Sequence, residues 1–189
     1  IDFAVFSGHK FKAPRGIGFI YAKEGRQLAP LLTGGGQEKN KRSGTENLPA
    51  IAAMSRAVRL VFEEVDQKKS HLRNLQKKLR AYLETKEKVT IFSPKDHAPH
   101  ILCFGIDGVR GEVTVHALEE KDIYISTTSA CSSRALDVDS STLHAMGVPK
   151  NVAETANRVS FSAENTEEEV EKFMEKFDEI LHQFEVINS

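Results

Sequence analysis

Ile1-Asp2-Phe3-Ala4-Val5-Phe6-Ser7-Gly8-His9-Lys10 opens the chain. Phe3 to Phe6 is an apolar run that reads as a buried strand entered in mid-domain. A domain seldom begins on an unshielded core strand. The expectation is therefore that sheet partners lie on the N-terminal side and that this is the later part of a longer protein. The run stops on Ser7-Gly8-His9-Lys10, and Pro14-Arg15-Gly16 follows with turn chemistry. A lysine at the end of such a strand is unusual. Its plain reading is a strand-end side chain snorkelling to water. Its chemical reading is a partly desolvated amine, which loses its proton and becomes a nucleophile toward an aldehyde.

Outward from this strand, Gly18-Phe19-Ile20-Tyr21-Ala22 reads as a second short strand. Leu31 to Asn47 is glycine-rich and polar, so it is a loop. Asn47 is placed to cap a helix that tolerates Pro49 in its first turn. Ile51, Met54, Val58, Val61, Phe62 and Val65 keep near-helical spacing, and Leu72, Leu75, Leu79, Tyr82 and Leu83 continue it. This predicts one long helix, or two joined near Ser70, of about 35 residues.

Short elements follow. Residues 89–92, 101–104, 123–126 and 158–161 read as strands. Glu112 to Glu120 and Thr142 to Met146 read as helical. Thr166 and Glu169 form a capping box that opens an amphipathic helix carrying Val170, Phe173, Phe177, Ile180, Leu181 and Phe184.

Composition narrows the function classes. The 189 residues are 40% hydrophobic and 28% charged, ordinary for a globular protein. The 26 basic and 27 acidic residues sum to −1, so no global basic field points to nucleic acid or an anionic membrane. No apolar run is long enough to span a bilayer. Two cysteines cannot build a disulfide framework, and they favour a reducing compartment.

The two thiols differ in setting. Cys103 sits in apolar Ile101-Leu102-Cys103-Phe104, where a thiol is buried and inert. Cys131 sits among small hydroxylic residues, Ser129-Ala130-Cys131-Ser132-Ser133, where it can ionise and react. His97, His100 and Cys103 are spaced three apart, but Pro99 and the apolar run argue for an extended chain that alternates their faces, so no metal is expected. The glycine-rich loop lacks the Gly-Lys-Ser/Thr that closes a Walker loop. Gly44 and Thr45, ahead of a helix start, are still able to offer N–H and hydroxyl donors to a phosphate, the alternative being a plain surface loop.

Taken in order, Ser7-Gly8-His9-Lys10, Gly16-Ile17-Gly18, Gly34-Gly35-Gly36-Gln37-Glu38, Arg42-Ser43-Gly44-Thr45-Glu46-Asn47 and Ser129-Ala130-Cys131-Ser132-Ser133 resemble the cysteine desulfurases of the NifS/IscS type, pyridoxal-phosphate enzymes of the class V aminotransferase group. The resemblance covers the whole chain. It implies an α/β fold, the C-terminal part of a fold type I pyridoxal-phosphate transferase with a small α+β C-terminal domain. Residues 1–62 would be a remnant of the large cofactor-binding domain, and 63–189 the small domain.

It implies that Lys10 holds pyridoxal phosphate covalently, that Ser7 and His9 help bind its phosphate, and that Thr45 reaches the phosphate of the other subunit of a homodimer. Cys131 would take sulfur from L-cysteine, and Arg158 would pair with the substrate carboxylate, as a guanidinium can do with two hydrogen bonds. The histidine that stacks on the ring and the aspartate on its nitrogen would lie upstream of Ile1. The family's usual glycine before Ser-Ala-Cys is Thr128 here.

The implied activity is conversion of L-cysteine to L-alanine, with sulfur passed as a persulfide to an iron–sulfur scaffold or tRNA-thiolation protein, in the cytoplasm. A related aminotransferase, a selenocysteine lyase and an inactive partner-binding piece of such an enzyme are the alternatives.

Overall fold

Phe3–Ser7 (β1) and Gly18–Ala22 (β2) pair antiparallel, with Val5 opposite Ile20 and Phe6 opposite Phe19. They belong to the first of two compact units into which the chain divides, Ile1–Val65 and Asp66–Ser189. The computed structural model describes residues 1–127 and 141–187.

The ribbon of the first unit differs from the sequence reading in one respect. Both strands form where expected, but they are not buried: Val5 is 76% exposed and Ile20 52%. Among the described residues β1 and β2 pair only with each other, and a lone two-stranded ribbon has no sheet or helix layer to hide its faces. The loop behind it is tied by its own groups. Ser43 N–H donates to Leu32 O at 3.1 Å, and Gly44 N–H to Gln37 Oε1 at 3.1 Å. A single turn, Gln37–Asn40, carries Glu38, Lys39 and Asn40 in the left-handed region.

Helix α1, Leu48–Leu83, is one continuous helix of 36 residues. Asn47 caps it as expected: its Oδ1 accepts from Ala50 N–H at 3.2 Å. Its apolar stripe has two fates. Leu75, Leu79 and Leu83 are buried, whereas Val61, Phe62 and Val65 are exposed.

The second unit is a four-stranded antiparallel sheet: β3 Val89–Ile91, β4 Ile101–Ile106, β5 Ser126–Thr127 and β6 Ala156–Ser160, in the order β3-β4-β6-β5. Among the described residues four further helices accompany it: α2 Gly111–Glu119, α3 Ser141–Ala145, α4 Lys150–Ala153 and α5 Glu167–Ile187. Strand alternation sends Leu102, Phe104 and Ile106 to one face, where they join Leu75, Leu79, Leu118, Phe173, Phe177 and Ile180 in the main core. Phe177 packs edge-on to Phe104 at 5.4 Å and stacks on Phe173 at 5.4 Å. The opposite face carries Cys103 and Ala156, which pack with Leu143, Ala153, Phe92 and Val148.

Two elements depart from expectation. The predicted strand 123–126 shrinks to Ser126–Thr127, because α2 ends in a Schellman turn. Asp122 is left-handed there and donates to Glu119 O at 3.0 Å, and Ile123 N–H donates to Leu118 O at 3.0 Å. Ile123 and Ile125 instead pack their side chains on the core. The one-turn helix α4 was not foreseen, although Pro149 at its N-cap is a start signal.

Candidate active site

The turn that ends β1 is built on Gly8. Gly8 N–H donates to Ile17 O at 2.8 Å, and Ala13 N–H returns to Gly8 O at 3.0 Å. A Cβ on Gly8 would lie 2.7 Å from Ile17 O, and one on Gly18 would lie 2.2 Å from Phe6 O, so both positions admit only glycine without moving backbone. The chain thereby closes a 3-10 turn over Gly8–Phe11 and exits through a left-handed Lys12. Ser7, His9 and Lys10 are all exposed on this turn. An amine, an imidazole and a hydroxyl thus sit within four residues on a short, internally bonded segment.

Thr45 lies in the same unit, exposed in the loop before α1. Gly44 N–H, read from the sequence as a phosphate donor, is donated to Gln37 Oε1 in this structure. Arg158 belongs to the second unit. It is the middle rung of three strands: Cys103 of β4 lies opposite it on one side and Ser126 of β5 on the other. The arginine is exposed. Cys131 lies outside the described residues. The structure thus gathers Ser7, His9 and Lys10 on one turn, and holds Arg158 on a separate sheet.

The rung at Arg158 adds a neighbour that sequence reading did not connect with it. Burial pushes the Cys103 thiol up to about 11, against an opposing pull from the Arg158 guanidinium. The thiol expected to be fully buried is half-buried, and its surroundings favour the neutral form. No sequence signal could have paired Cys103 with Arg158, because cross-strand register is set by distant turns.

The histidine spacing at 97 and 100 serves another purpose. His97 Nε2 lies 2.7 Å from Ile101 O and 2.7 Å from the Gln76 amide, fastening the β3–β4 loop to α1. Among the described residues no three His, Cys, Asp or Glu side chains gather around a metal-sized site. A cavity of about 330 Å³, lined by Lys86, Lys88, Asp107, Val109 and Phe184 among others, contains none of the expected site residues. Among the described residues no helix is long and apolar enough to cross a membrane.

The family model for class V aminotransferases matches residues 1–173. The chain belongs to the class V aminotransferase family. Within it, the chain is 52% identical over 190 residues to a NifS/IcsS protein homolog of Lactobacillus delbrueckii subsp. bulgaricus, covering 100% of this chain and 49% of that protein. It is 35% identical over 187 residues to a cysteine desulfurase IscS of Clostridium botulinum (strain Hall), covering 97% of this chain and 47% of that one. Among solved structures it is similar to a NifS-like protein, with 36% identity and a TM-score of 0.80 over 96% of this chain and 47% of the other. The chain spans about half the length of the curated relatives it matches. The expected fold class stands: this class V aminotransferase chain has the mixed helix–sheet fold of the corresponding half of NifS-like proteins.

Proposed function

We propose that this chain is the sulfur-accepting half of a cysteine desulfurase, which converts L-cysteine to L-alanine and leaves the sulfur on Cys131 as a persulfide. The observation that carries the proposal is the Gly8-tied turn bearing Ser7, His9 and Lys10, in a chain similar to proteins named cysteine desulfurase.

The donor set of that turn suits pyridoxal phosphate: a primary amine for its aldehyde, and a hydroxyl and an imidazole for its phosphate. When bound, the cofactor supplies an electron sink for charge developing at the substrate Cα. Lys10 would hold the cofactor through Nζ, and Ser7 and His9 would bind its phosphate. Thr45 would donate its hydroxyl to the phosphate of a second copy, which makes the working enzyme a homodimer. The freed Lys10 amine would take the Cα proton and hold it at Nζ.

Arg158 would orient the substrate by two parallel N–H bonds to its carboxylate. The Cys131 thiolate then attacks the substrate sulfur. A sulfur–sulfur bond forms and the carbon–sulfur bond breaks. The electron pair stays with the substrate carbon, which a proton converts to the methyl group of alanine. Cys131 is left as a persulfide for a sulfur-acceptor protein.

Domain roles follow the same assignment. Residues 1–62 would serve the cofactor, and 63–189 would bring Arg158 and the Cys131 loop.

The test is mass spectrometry of the enzyme after L-cysteine, with the chain assembled with the half of the relatives it does not span. The expected result is one added sulfur atom on the Cys131 peptide and alanine in solution. Sulfur on Cys103 alone, or amino-group transfer with no sulfur released, would overturn the proposal.

A further inference from the structure

Asn157 is a polar side chain on the apolar face of the second unit's sheet. Strand alternation places it opposite Phe104 and two residues before Val159, both in the main core, and it is 0% exposed. Its amide is only half used. Nδ2 donates to Thr155 O at 3.0 Å, and among the described residues Oδ1 accepts nothing. A buried acceptor without a partner is costly, and an apolar side chain of similar volume would serve the core better. Stability alone therefore does not account for an amide at this position.

The bond that Asn157 does make falls at a decisive place. Thr155 precedes Ala156, the first residue of β6, so its carbonyl lies where the ladder begins. Thr155 is itself tied back to α4: its N–H and its Oγ1 both donate to Val152 O, at 3.1 and 2.8 Å. Gly111 closes over the same spot. Its N–H donates to Glu154 O at 2.9 Å, and a Cβ there would lie 2.7 Å from Ala156 O and 3.4 Å from Asn157 Oδ1. The start of β6 is thus gripped from α2, from α4 and by its own amide. One residue further on is Arg158, on the opposite face, between Cys103 and Ser126. A slip of one residue at the strand start would turn Arg158 toward the core.

We infer that Asn157 is a positioning residue: its bond to Thr155 O fixes where β6 starts, and thereby holds the Arg158 guanidinium on the face where it would receive the substrate carboxylate. The role of Arg158 toward that carboxylate rests on the desulfurase reading; its place in the sheet does not.

The first measurement needs no cofactor. In a Cys131→Ser chain Cys103 is the remaining thiol, and the guanidinium opposite it favours its thiolate. Its alkylation by iodoacetamide at about pH 9 therefore reports where Arg158 stands. Arg158→Gln should slow it at least about twofold. Asn157→Leu fills the core and Asn157→Ala leaves room in it, yet both lack the amide. Both should slow alkylation by the same factor, and neither should slow it further once Arg158→Gln is present. Urea midpoints confirm that each variant is folded. The second measurement uses the chain assembled with the half of the relatives it does not span. Asn157→Leu should raise KM for L-cysteine at least about tenfold with kcat held within about threefold, and should add nothing to Arg158→Gln.

Unchanged alkylation in both Asn157 variants would overturn the proposal. So would opposite changes in the leucine and alanine variants, which mark a packing effect, or additive losses in the double variants. If Arg158→Gln raises KM while the Asn157 variants leave alkylation unchanged, the positioning role fails alone. If Arg158→Gln leaves KM unchanged, the desulfurase reading of Arg158 fails and takes the positioning role with it.

Discussion

At the scale of single residues, the two thiols are told apart by what surrounds them. Cys103 has its ionisation raised to about 11 by burial, and the Arg158 guanidinium only partly offsets this. At pH 8 about one Cys103 in a thousand is then a thiolate, so it reacts slowly. In a Cys131→Ser chain, iodoacetamide should modify the remaining thiol slowly, with a rate that climbs until the pH passes about 11. Adding Arg158→Gln removes the attractive charge, so the midpoint should move higher still. A midpoint that stays where it was on losing Arg158 would mean that the two side chains are not coupled. The same shift has a consequence for stability. The folded chain favours the neutral thiol, so Cys103 supports folding below its unfolded ionisation range and loses that support as pH rises toward about 11. Lys10 offers a second residue-scale expectation. In the assembled enzyme, Lys10→Ala should abolish the borohydride-fixed bond to pyridoxal phosphate, measured by protein mass. Full fixation in that variant would assign the role to another lysine.

At the scale of elements, the helix starts and stops decide which predictions come true. The capping box of α5 forms as its spacing requires: Glu169 accepts from Thr166 N–H at 3.0 Å, and Thr166 Oγ1 accepts from Glu169 N–H at 3.3 Å. Thr166→Ala should cost about 1 kcal/mol, read as a lower urea midpoint. Hydrogen bonds from Asn165 and from the Thr166 backbone hold the Glu169 carboxyl below its ordinary value. Its contribution is therefore present above the unfolded carboxylate range and is lost as pH falls through the depressed value. Glu169→Gln, which has no carboxylate to protonate, and wild type should converge as this occurs. A tighter constraint sits where α2 meets β6. A Cβ on Gly111 would lie 2.7 Å from Ala156 O, and backbone cannot step aside as a side chain can. Gly111→Ala should therefore destabilise the second unit by about 1–3 kcal/mol, more than its gain in helix propensity returns. Most elements were legible because period and cap are local signals, as at Asn47 and Thr166. The strand expected at 123–126 was misread because an apolar run looks alike whether it pairs its backbone or only packs its side chains. For the candidate site, the ordered short motifs pointed to Lys10 and Thr45, and Arg158 entered only through the family resemblance. The Cys103–Arg158 rung was not legible, since it depends on two strands far apart in sequence.

At the scale of the whole molecule, apolar surface is distributed unevenly. The second unit closes a core from Leu75, Leu79, Phe104, Leu118, Phe173, Phe177 and Ile180, drawn from three helices and a sheet. The first unit has short strands whose large side chains face water, and among its residues only Ala13 and Ala57 are buried apolar side chains. Burial of apolar area is the main term favouring a fold, and a ribbon of two strands with exposed faces gains little of it against the entropy of ordering its loops. Local stability should follow the same division. Trypsin at low ratio should cut the free chain first in the first unit, where Lys12, Lys23 and Arg26 lie in exposed turns, and leave a resistant product beginning within α1. Residues 66–189 expressed alone should then unfold in one cooperative urea transition whose midpoint matches that of the full chain, because none of the residues named in that core comes from the first unit. The opposite order, with cleavage at Arg158 in β6 before the first unit is cut, would show that the sheet of the second unit depends on the first, and the two units could not be treated as separate folding entities.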